Sequence, residues 1–464
     1  MRYKISIFQA IIINRMNMAS SDTAQWSSRL AFSLAAIGCS VGLGNLWRFS
    51  AEAGANGGGA FIVVYLACVV FIGIPTIMAE LVIGRSGRAS SAANSMNDLA
   101  DRSGRSRLWS LGAWSGMLAS FLIVSFYAVV AAWVMAYIPR FLMGAFDGLT
   151  PLQIADQYSS LTKSPLELMP WFLTFSVLVI WLVARGVNRG IELASKVLMP
   201  AFFLLLLLLS CYSIVSSWES GGTSQALEFL FSPEFAKIDG SVAVSALSQA
   251  FFSIGLGMAM MIAYGSYLPR DISIPQSAMI IGLADTAVAL IAGLAIFPIV
   301  FKYGLDFNAG AGLFFQTLPT ALIETPGGNI IGAAFFCMAF FSALTTGVAL
   351  LEPSVAHVAE QLKISKVKAA ISVGILMIIV GFGCLYSIEF LNFLDGGLTA
   401  PILLPFSALL VVLFVGWRLD KSIIAAELSD SDRKLGKFLL MMIRYLAPLM
   451  ISIILIAGIQ QKYF

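Results

Sequence analysis

Apolar residues in this chain gather into stretches long enough to cross a membrane, which takes about 20 residues, with short polar connections between them. The stretches fall at 28–54, 60–84, 108–142, 167–185, 190–216, 241–267, 275–302, 328–361, 366–385, 388–417 and 437–460. This pattern predicts eleven membrane-spanning helices. Residues 306–318 and 319–327 read as a long outer loop holding a short helix.

Two spans break the pattern. The first carries SVGLGN at residues 40–45 and the sixth FFSIGLGMA at residues 251–259. Each glycine costs a helix about 1 kcal/mol relative to alanine, and an unwound stretch bares N–H and C=O groups that hydrocarbon cannot satisfy. A glycine-rich packing face between helices explains GANGGG at residues 54–59. It does not explain two interrupted spans that both hold Gly-x-Gly beside polar residues. The breaks lie five spans apart, at corresponding places in two five-helix halves, and an odd repeat inverts the second half. Such paired breaks point to a transporter binding site. Freed carbonyls there bind cations, and half-helix N-termini bind an anion.

Lys and Arg are divided unevenly between the connections. Arg2, Lys4, Arg15 and Arg29 precede or begin span 1, and Arg85, Arg88, Arg102, Arg105 and Arg107 lie between spans 2 and 3. Arg185, Arg189 and Lys196 flank the 4–5 turn, Arg270 the 6–7 turn, and Lys363, Lys366 and Lys368 the 8–9 turn. Arg418, Lys421, Arg433, Lys434 and Lys437 fall between spans 10 and 11, whereas the alternate loops hold only Arg140, Lys163, Lys237, Lys302 and Lys462. The asymmetry predicts a cytoplasmic N-terminus and, with an odd count, an external C-terminus. The expected organisation is a cytoplasmic segment 1–27, a first repeat 28–216, an extracellular loop 217–240, a second repeat 241–417, and a cytoplasmic loop with span 11 at 418–464. MRYKISIFQAIIIN at the start has no small-residue cleavage site. It reads either as a surface helix or as residues upstream of a start at Met16 or Met18.

Composition fixes the class. The chain is 59% hydrophobic and 11% charged, against about 25% charged in soluble domains. It is read as an all-α polytopic membrane protein in a cell (inner or plasma) membrane. A net charge of +3 and the absence of basic patches leave no nucleic-acid signal. Cys39, Cys68, Cys211, Cys337 and Cys384 form no CxxC pair and read as small buried hydrophobes. No HExxH, GxSxG or phosphate-loop motif occurs, so the chain is not read as an enzyme.

The polar residues inside the spans supply the chemistry. Asn45 offers an amide oxygen, a hard ligand for a small cation, and Ser253 a hydroxyl at the break of span 6. Asp285 lies inside AMIIGLADTAVALIAG. A carboxylate at that depth costs about 2.5–3.5 kcal/mol on insertion scales, which makes it a functional candidate. In FFSALTTGVALLEP, residues Ser342, Thr345 and Thr346 share one helical face, although back-bonding to the helix is an equal reading for them. His357, the single histidine, reads as a packing residue at the cytoplasmic end, with proton coupling through nearby Glu360 as the lesser reading.

GLGNLWRF, NGGGAF, IPTIMAELVIGR, RGVNRGIELASKVLMP, the FF break of span 6 and the Thr pair of span 8 resemble the neurotransmitter:sodium symporter family. The likeness runs from Trp26 to span 11 and is closest to the bacterial eleven-span amino-acid transporters. It implies a LeuT-type fold, two inverted five-helix repeats plus one further helix. It implies two Na+ sites. One would use the Ser40 carbonyl, Asn45, Ser253, Asp285 and the substrate carboxylate. The other would use the carbonyls of Gly38, Val41 and Ser342 with the hydroxyls of Thr345 and Thr346. The substrate carboxylate would meet the N–H groups of Leu43 and Gly44 and the Tyr127 hydroxyl. Its ammonium would meet the carbonyls of Ser40, Phe252 and Ser253, and its side chain would lie among Ile123, Phe252, Gly255, Met258 and Leu350.

The resemblance further implies an outer gate of Arg48 and Asp395 over Phe252 and Tyr127. The family's inner gate pairs an Arg before Trp26 with an acid. Here Thr23 stands at the Arg position and the acid, Glu360, remains, so the inner gate is either weaker or uses another cation such as Arg29. The apolar lining predicts a hydrophobic or aromatic L-amino acid, carried by alternating access. Asp285 near the first Na+ site predicts no need for chloride. Two readings stay open beside this one: the same fold coupled to protons or carrying another small amine, and a channel or sensor without coupled transport.

Overall fold

The computed structural model describes residues 25–463 apart from 88, 306–311 and 429–431. Thr23, most of the 1–27 segment and the start of the outer loop at 306 lie outside the described residues. Every regular element among the described residues is a helix, the form in which an apolar chain satisfies its own backbone groups inside hydrocarbon.

The helices are α1 (Arg29–Ser40), α2 (Gly44–Ala55), α3 (Gly59–Gly87), α4 (Arg107–Leu142), α5 (Pro165–Ala184) and α6 (Val187–Ser216). There follow α7 (Gly240–Ile254), α8 (Met260–Ser266), α9 (Ile274–Lys302), α10 (Gly328–Leu362), α11 (Lys366–Tyr386), α12 (Ile388–Arg418) and α13 (Arg433–Gln460). Among the described residues nine of these are long and apolar enough to cross a membrane, and α1 with α2, bent by 56°, make a tenth. The remaining expected span, 241–267, is α7 and α8, each too short to cross alone. Its break follows from the backbone: Gly255, Gly257 and Ala259 take φ of +77°, +73° and +56°, outside the right-handed helix. A side chain at Gly257 would also put its Cβ 2.3 Å from the Leu404 carbonyl oxygen.

The expected short helix in the outer loop is Leu313–Ile323. Connecting helices Ala92–Arg102, Pro151–Thr162, Gly222–Phe231 and Lys421–Glu427 were not foreseen, because they are too short to leave a spanning signal. Pro151–Thr162 begins at a capping box of Thr150 and Gln153, a local device that fixes a helix start.

The helix α4 is the centre of the bundle. Of its most apolar stretch 83% is buried inside the protein, and for α10 the share is 78%, against 33% for α6 and 28% for α13. Peripheral helices turn residues such as Leu204, Leu207, Leu208, Ile375 and Ile379 outward, a surface suited to lipid. Lipid-facing positions are as apolar as buried ones, so apolar context alone misplaces cysteines. Cys39, Cys68 and Cys384 are buried as expected, but Cys211 is exposed and Cys337 half-buried.

The connections sort into two ends. At one, Arg85 bonds the carbonyls of Pro269 and Ile272 and pairs with Glu427, Arg105 reaches the Arg418 carbonyl, and Asn188 the Gln25 carbonyl. At the other, Arg140 pairs with Glu167, Asn329 bonds Asp147, and Tyr212 bonds the Pro326 carbonyl. The first will be called the basic end. Trp26 sits at the basic end against the Tyr267 carbonyl, while Tyr463 near the C-terminus bonds the Gly397 carbonyl at the opposite end.

Candidate functional site

The two breaks meet at the middle of the bundle, and their loose backbone groups are taken up by side chains of neighbouring helices. After α1, the Val41 carbonyl accepts from Ser342 Oγ at 3.0 Å and from Thr346 Oγ1 at 3.2 Å, and Thr346 Oγ1 also donates to the Gly38 carbonyl at 3.3 Å. Thr345 Oγ1 lies 3.0 Å from the Ser342 carbonyl. So Gly38, Val41, Ser342, Thr345 and Thr346, the residues of the expected second Na+ site, converge in space. The set is neutral carbonyl and hydroxyl oxygen, the donor chemistry of a hard alkali cation.

On the other side of the break, Asp285 of α9 gathers the first expected set. Asn45 Nδ2 lies 2.8 Å from Asp285 Oδ1 and 2.9 Å from Ser253 Oγ, and Ser253 Oγ donates to Asp285 Oδ2 at 2.8 Å. The orientation of Asn45 differs from expectation. Its Oδ1 accepts from the Gly42 N–H at 3.0 Å, so the amide shows its nitrogen, not its oxygen, to the carboxylate. An oxygen ligand at this position requires the amide to turn over. Tyr65, missed in the sequence, completes the cluster with its hydroxyl 3.4 Å from Asp285 Oδ2.

The second break has its own support. Glu80 of α3 is fully buried and its Oε1 accepts from the Gly257 N–H at 2.8 Å. Ser120 of α4 donates to the Met258 carbonyl. Gln249 of α7 reaches across to the Gly44 carbonyl at 3.0 Å, tying one broken span to the other. None of these three was singled out beforehand. Glu80 had a signal, since it is an intramembrane acid inside the quoted IPTIMAELVIGR.

Between the breaks lies a small cavity of about 30 Å³. Ser40, Leu43, Gly44, Ile123, Tyr127, Phe252, Ser253, Gly255, Met258 and Leu350, all ten expected substrate contacts, line it, together with Cys39, Gly42, Met260 and Thr346. Tyr127 accepts the Leu43 N–H at 3.3 Å, which joins two of the expected carboxylate contacts. Above the cavity opens a vestibule of about 420 Å³, which Arg48, Trp47, Tyr158, Leu391 and Asp395 help to line. Phe252 and Tyr127 border both spaces.

The gates depart from expectation. Arg48 lies over the Phe252 ring, 4.5 Å from its centroid, as foreseen. Its ion partner, however, is Glu52 at 3.9 Å, one helical turn away on α2. Asp395 lines the same vestibule, but its buried Oδ1 has no hydrogen-bond partner. At the basic end Glu360 makes no ion pair among the described residues. It accepts from the Ser91 N–H and from Asn94 Nδ2, both at 2.8 Å, which meets its needs within one corner of the bundle. Arg29 donates to Gln276 instead. His357 contacts Ser91 Oγ at 2.7 Å and packs edge-on to Trp114, a packing position.

Broken helices that surround a cavity at mid-bundle, with cation-type oxygen clusters at the breaks, define a multi-pass secondary transporter. The chain belongs to the Sodium:neurotransmitter symporter family, whose sequence profile matches residues 23–147 and 152–463. It is 34% identical over 450 residues to the sodium-dependent transporter YhdH of Bacillus subtilis (strain 168), covering 94% of this chain and 98% of that one. The neutral amino acid transporter SLC6A17 of Mus musculus is 27% identical over 321 residues, 61% of this chain and 41% of that one. The crystal structure of MhsT in complex with L-phenylalanine superposes with a TM-score of 0.83 at 36% identity, covering 94% of this chain and 99% of that chain. The fold is therefore of the LeuT type, and the family is one of sodium-dependent transporters rather than enzymes.

Proposed function

We propose that this protein takes up a hydrophobic or aromatic L-amino acid together with two Na+ ions, by alternating access and without chloride. The observation that carries the reading is the cavity between the two breaks. Its walls offer backbone polar groups of both breaks at one side and Ile123, Met258 and Leu350 at the other, with no charged side chain among them. A zwitterion would find its charges matched by the break backbone and its side chain by the apolar wall. MhsT was crystallised with L-phenylalanine, and SLC6A17 carries neutral amino acids by its name; both support the same cargo class.

One Na+ would sit among Ser40, Asn45, Ser253 and Asp285, the other among Gly38, Val41, Ser342, Thr345 and Thr346. Two Na+ with a neutral zwitterion move two charges. At about 2.3 kcal/mol per charge per 100 mV, the potential alone supplies roughly 4.6 kcal/mol, more than a thousandfold accumulation. Counting α7 and α8 as one broken span would give eleven crossings, an odd number consistent with Trp26 and Tyr463 lying at opposite ends. The basic end would face the cytoplasm of a cell membrane, and residues 28–216 and 241–417 would be the two inverted repeats.

The test is uptake of radiolabelled amino acids into proteoliposomes, with and without an inward Na+ gradient, competed by each amino acid in turn. Sodium-driven accumulation of Leu, Phe, Tyr or Trp is expected. Uptake driven by a proton gradient without Na+, or flux that never exceeds equilibrium, would overturn the reading.

A further inference from the structure

We propose that the end of α12, with the turn before α4 and the adjoining face of α13, binds the phosphate of an anionic phospholipid from the leaflet at the basic end. The site lies outside the cargo path and holds whichever cargo or coupling ion the protein uses.

The helix α12 ends at Arg418, and the carbonyls of a last helical turn have no partner within the helix. Two arginines from other elements take them up. Arg444 of α13 donates through Nε to the Gly416 carbonyl at 2.9 Å, and Arg105, in the turn before α4, donates through Nε to the Arg418 carbonyl at 3.4 Å. Arg418 itself, exposed on the same turn, adds a third guanidinium. Trp417 returns the contact to α13, its indole N–H donating to the Arg444 carbonyl at 2.8 Å. The Trp417 ring meets Tyr445 edge-on with centroids 5.6 Å apart, and both rings are exposed. The Asp420 N–H on Ser103 Oγ at 3.1 Å fixes the turn before α4 against this end. Both long helices make a π-helical turn here, Phe414–Arg418 and Met442–Leu446, a widening frequent at functional sites.

Helix capping explains part of this cluster, since a cation at a helix C-terminus meets the negative end of the dipole. Capping occupies the Nε–H alone, however, and the paired Nη groups of each fork remain. Nor does it explain an aromatic pair turned outward beside the arginines. Trp and Tyr gather at the headgroup level of a bilayer, and Arg444 lies within a helix long and apolar enough to cross one. The cluster therefore stands where α13 passes the polar face of the membrane. The abundant acceptor at that level is the phospholipid phosphate, whose oxygens suit an arginine fork two at a time, and basic pockets between helices at this face hold anionic headgroups. The described carboxylates of residues 418–444 are engaged elsewhere: Asp420 accepts from Ser422, Glu427 pairs with Arg85, and Asp432 accepts from Gln276. A zwitterionic lipid would bring its ammonium against three positive charges, so the site favours a lipid of net negative charge.

The experiment uses the full-length protein, delipidated in detergent. Phosphatidylglycerol, phosphatidylcholine and inorganic phosphate are titrated separately. Native mass spectrometry follows the first lipid bound, and the thermal midpoint is read beside it. The parent should bind phosphatidylglycerol about fivefold or more tighter than phosphatidylcholine and gain a higher midpoint from it. Arg105→Gln with Arg444→Gln should weaken phosphatidylglycerol about tenfold, although this pair also loses two caps of α12. Arg418→Gln separates the two effects, because the Arg418 side chain makes none of the bonds above. It should weaken phosphatidylglycerol about threefold or more and leave the lipid-free midpoint unchanged. Lys368→Gln, an equal loss of charge on α11 at the same end, should stay within about twofold of the parent. Equal affinity for the two lipids, an Arg418→Gln variant that binds like the parent, or equal losses in Arg418→Gln and Lys368→Gln would overturn the site. Inorganic phosphate that raises the midpoint as far as phosphatidylglycerol does would overturn a lipid as its occupant.

Discussion

Asn45 and Asp285, on the first and seventh predicted spans, are held face to face by an amide nitrogen 2.8 Å from a carboxylate oxygen. The contact joins the unwound stretch after α1 to the straight helix α9 and leaves the Asn45 oxygen on the Gly42 N–H. A cation entering beside Asp285 competes with that N–H, so the amide must turn before its oxygen can serve. If Na+ binds as proposed, its first site and the shape of the first break would be coupled through this one side chain.

From this follows a prediction on charge. With Na+ bound beside it, Asp285 would supply the negative charge at the first proposed Na+ site, so replacing external chloride by gluconate should leave uptake unchanged. Asp285→Asn removes the charge and should raise the Na+ concentration for half-maximal uptake about tenfold, which is about 1.4 kcal/mol of lost attraction. An anion from solution can then take over the role, and the variant should gain a chloride requirement. A parent that loses most of its uptake in gluconate would contradict the scheme.

The second Na+ site is tested through its hydroxyls. Thr346 Oγ1 bridges the carbonyls of Gly38 and Val41, and Thr345 Oγ1 lies against the Ser342 carbonyl. Thr345→Ala with Thr346→Ala deletes two of the five expected ligands and should raise the Na+ requirement by tenfold or more, with a smaller change in amino-acid affinity at saturating Na+. The check is a Na+ titration of uptake. Unaltered Na+ dependence in the double variant would remove the second site from the mechanism.

The break of the sixth span should depend on Glu80. Its carboxylate is the partner of the Gly257 N–H, and removal leaves a buried donor unpaired, at a cost of about 1–3 kcal/mol. Glu80→Ala should therefore lower the thermal midpoint of the detergent-solubilised protein by several degrees and reduce uptake. Glu80→Gln keeps an acceptor oxygen in place and should keep most of both. Equal losses in the two variants would show that charge, not the hydrogen bond to Gly257, is what the break requires.

The spans were legible in the chain because a lipid solvent leaves a signal at every residue. Even the interruptions could be placed, since Gly255 and Gly257 are written into the sequence. The face of Ser342, Thr345 and Thr346 followed from helical spacing. The ten cavity residues came from family resemblance and not from periodicity. Contacts between distant elements were not legible. Glu80 and Glu352 are intramembrane acids no less than Asp285. Their partners, however, are a backbone N–H 177 residues away and a lysine across a turn, and nothing local names either. Arg48 and Asp395 share one vestibule as expected, but the ion-pair contact of Arg48 goes elsewhere for a related reason. Glu52, four residues on along the same helix, competes for the guanidinium, and sequence alone does not rank the two.

Substrate size should be set by Gly255 and its neighbours. The cavity of about 30 Å³ leaves little spare room, so a large side chain calls for walls that adapt. Met258 and Met260, both in the lining, are the residues able to do so, being unbranched and soft. Each buried CH₂ is worth about 0.8 kcal/mol, so filling the pocket should favour Leu over Ala by roughly 2 kcal/mol, about 30-fold. Gly255 tests this directly. A Cβ there would lie 2.6 Å from Met260 Cε and 3.6 Å from Met258 Sδ, and the backbone φ of +77° strains any L side chain. Gly255→Ser therefore brings two effects, a strain common to all cargo and a loss of room that grows with cargo size. The strain cancels in the ratio of two affinities measured on the same variant. Competition assays should then find Trp weakened several-fold more than Leu in Gly255→Ser, relative to the parent. A ratio that does not move, or a parent that binds Gly and Ala as tightly as Leu and Trp, would mean that the apolar wall does not select the cargo.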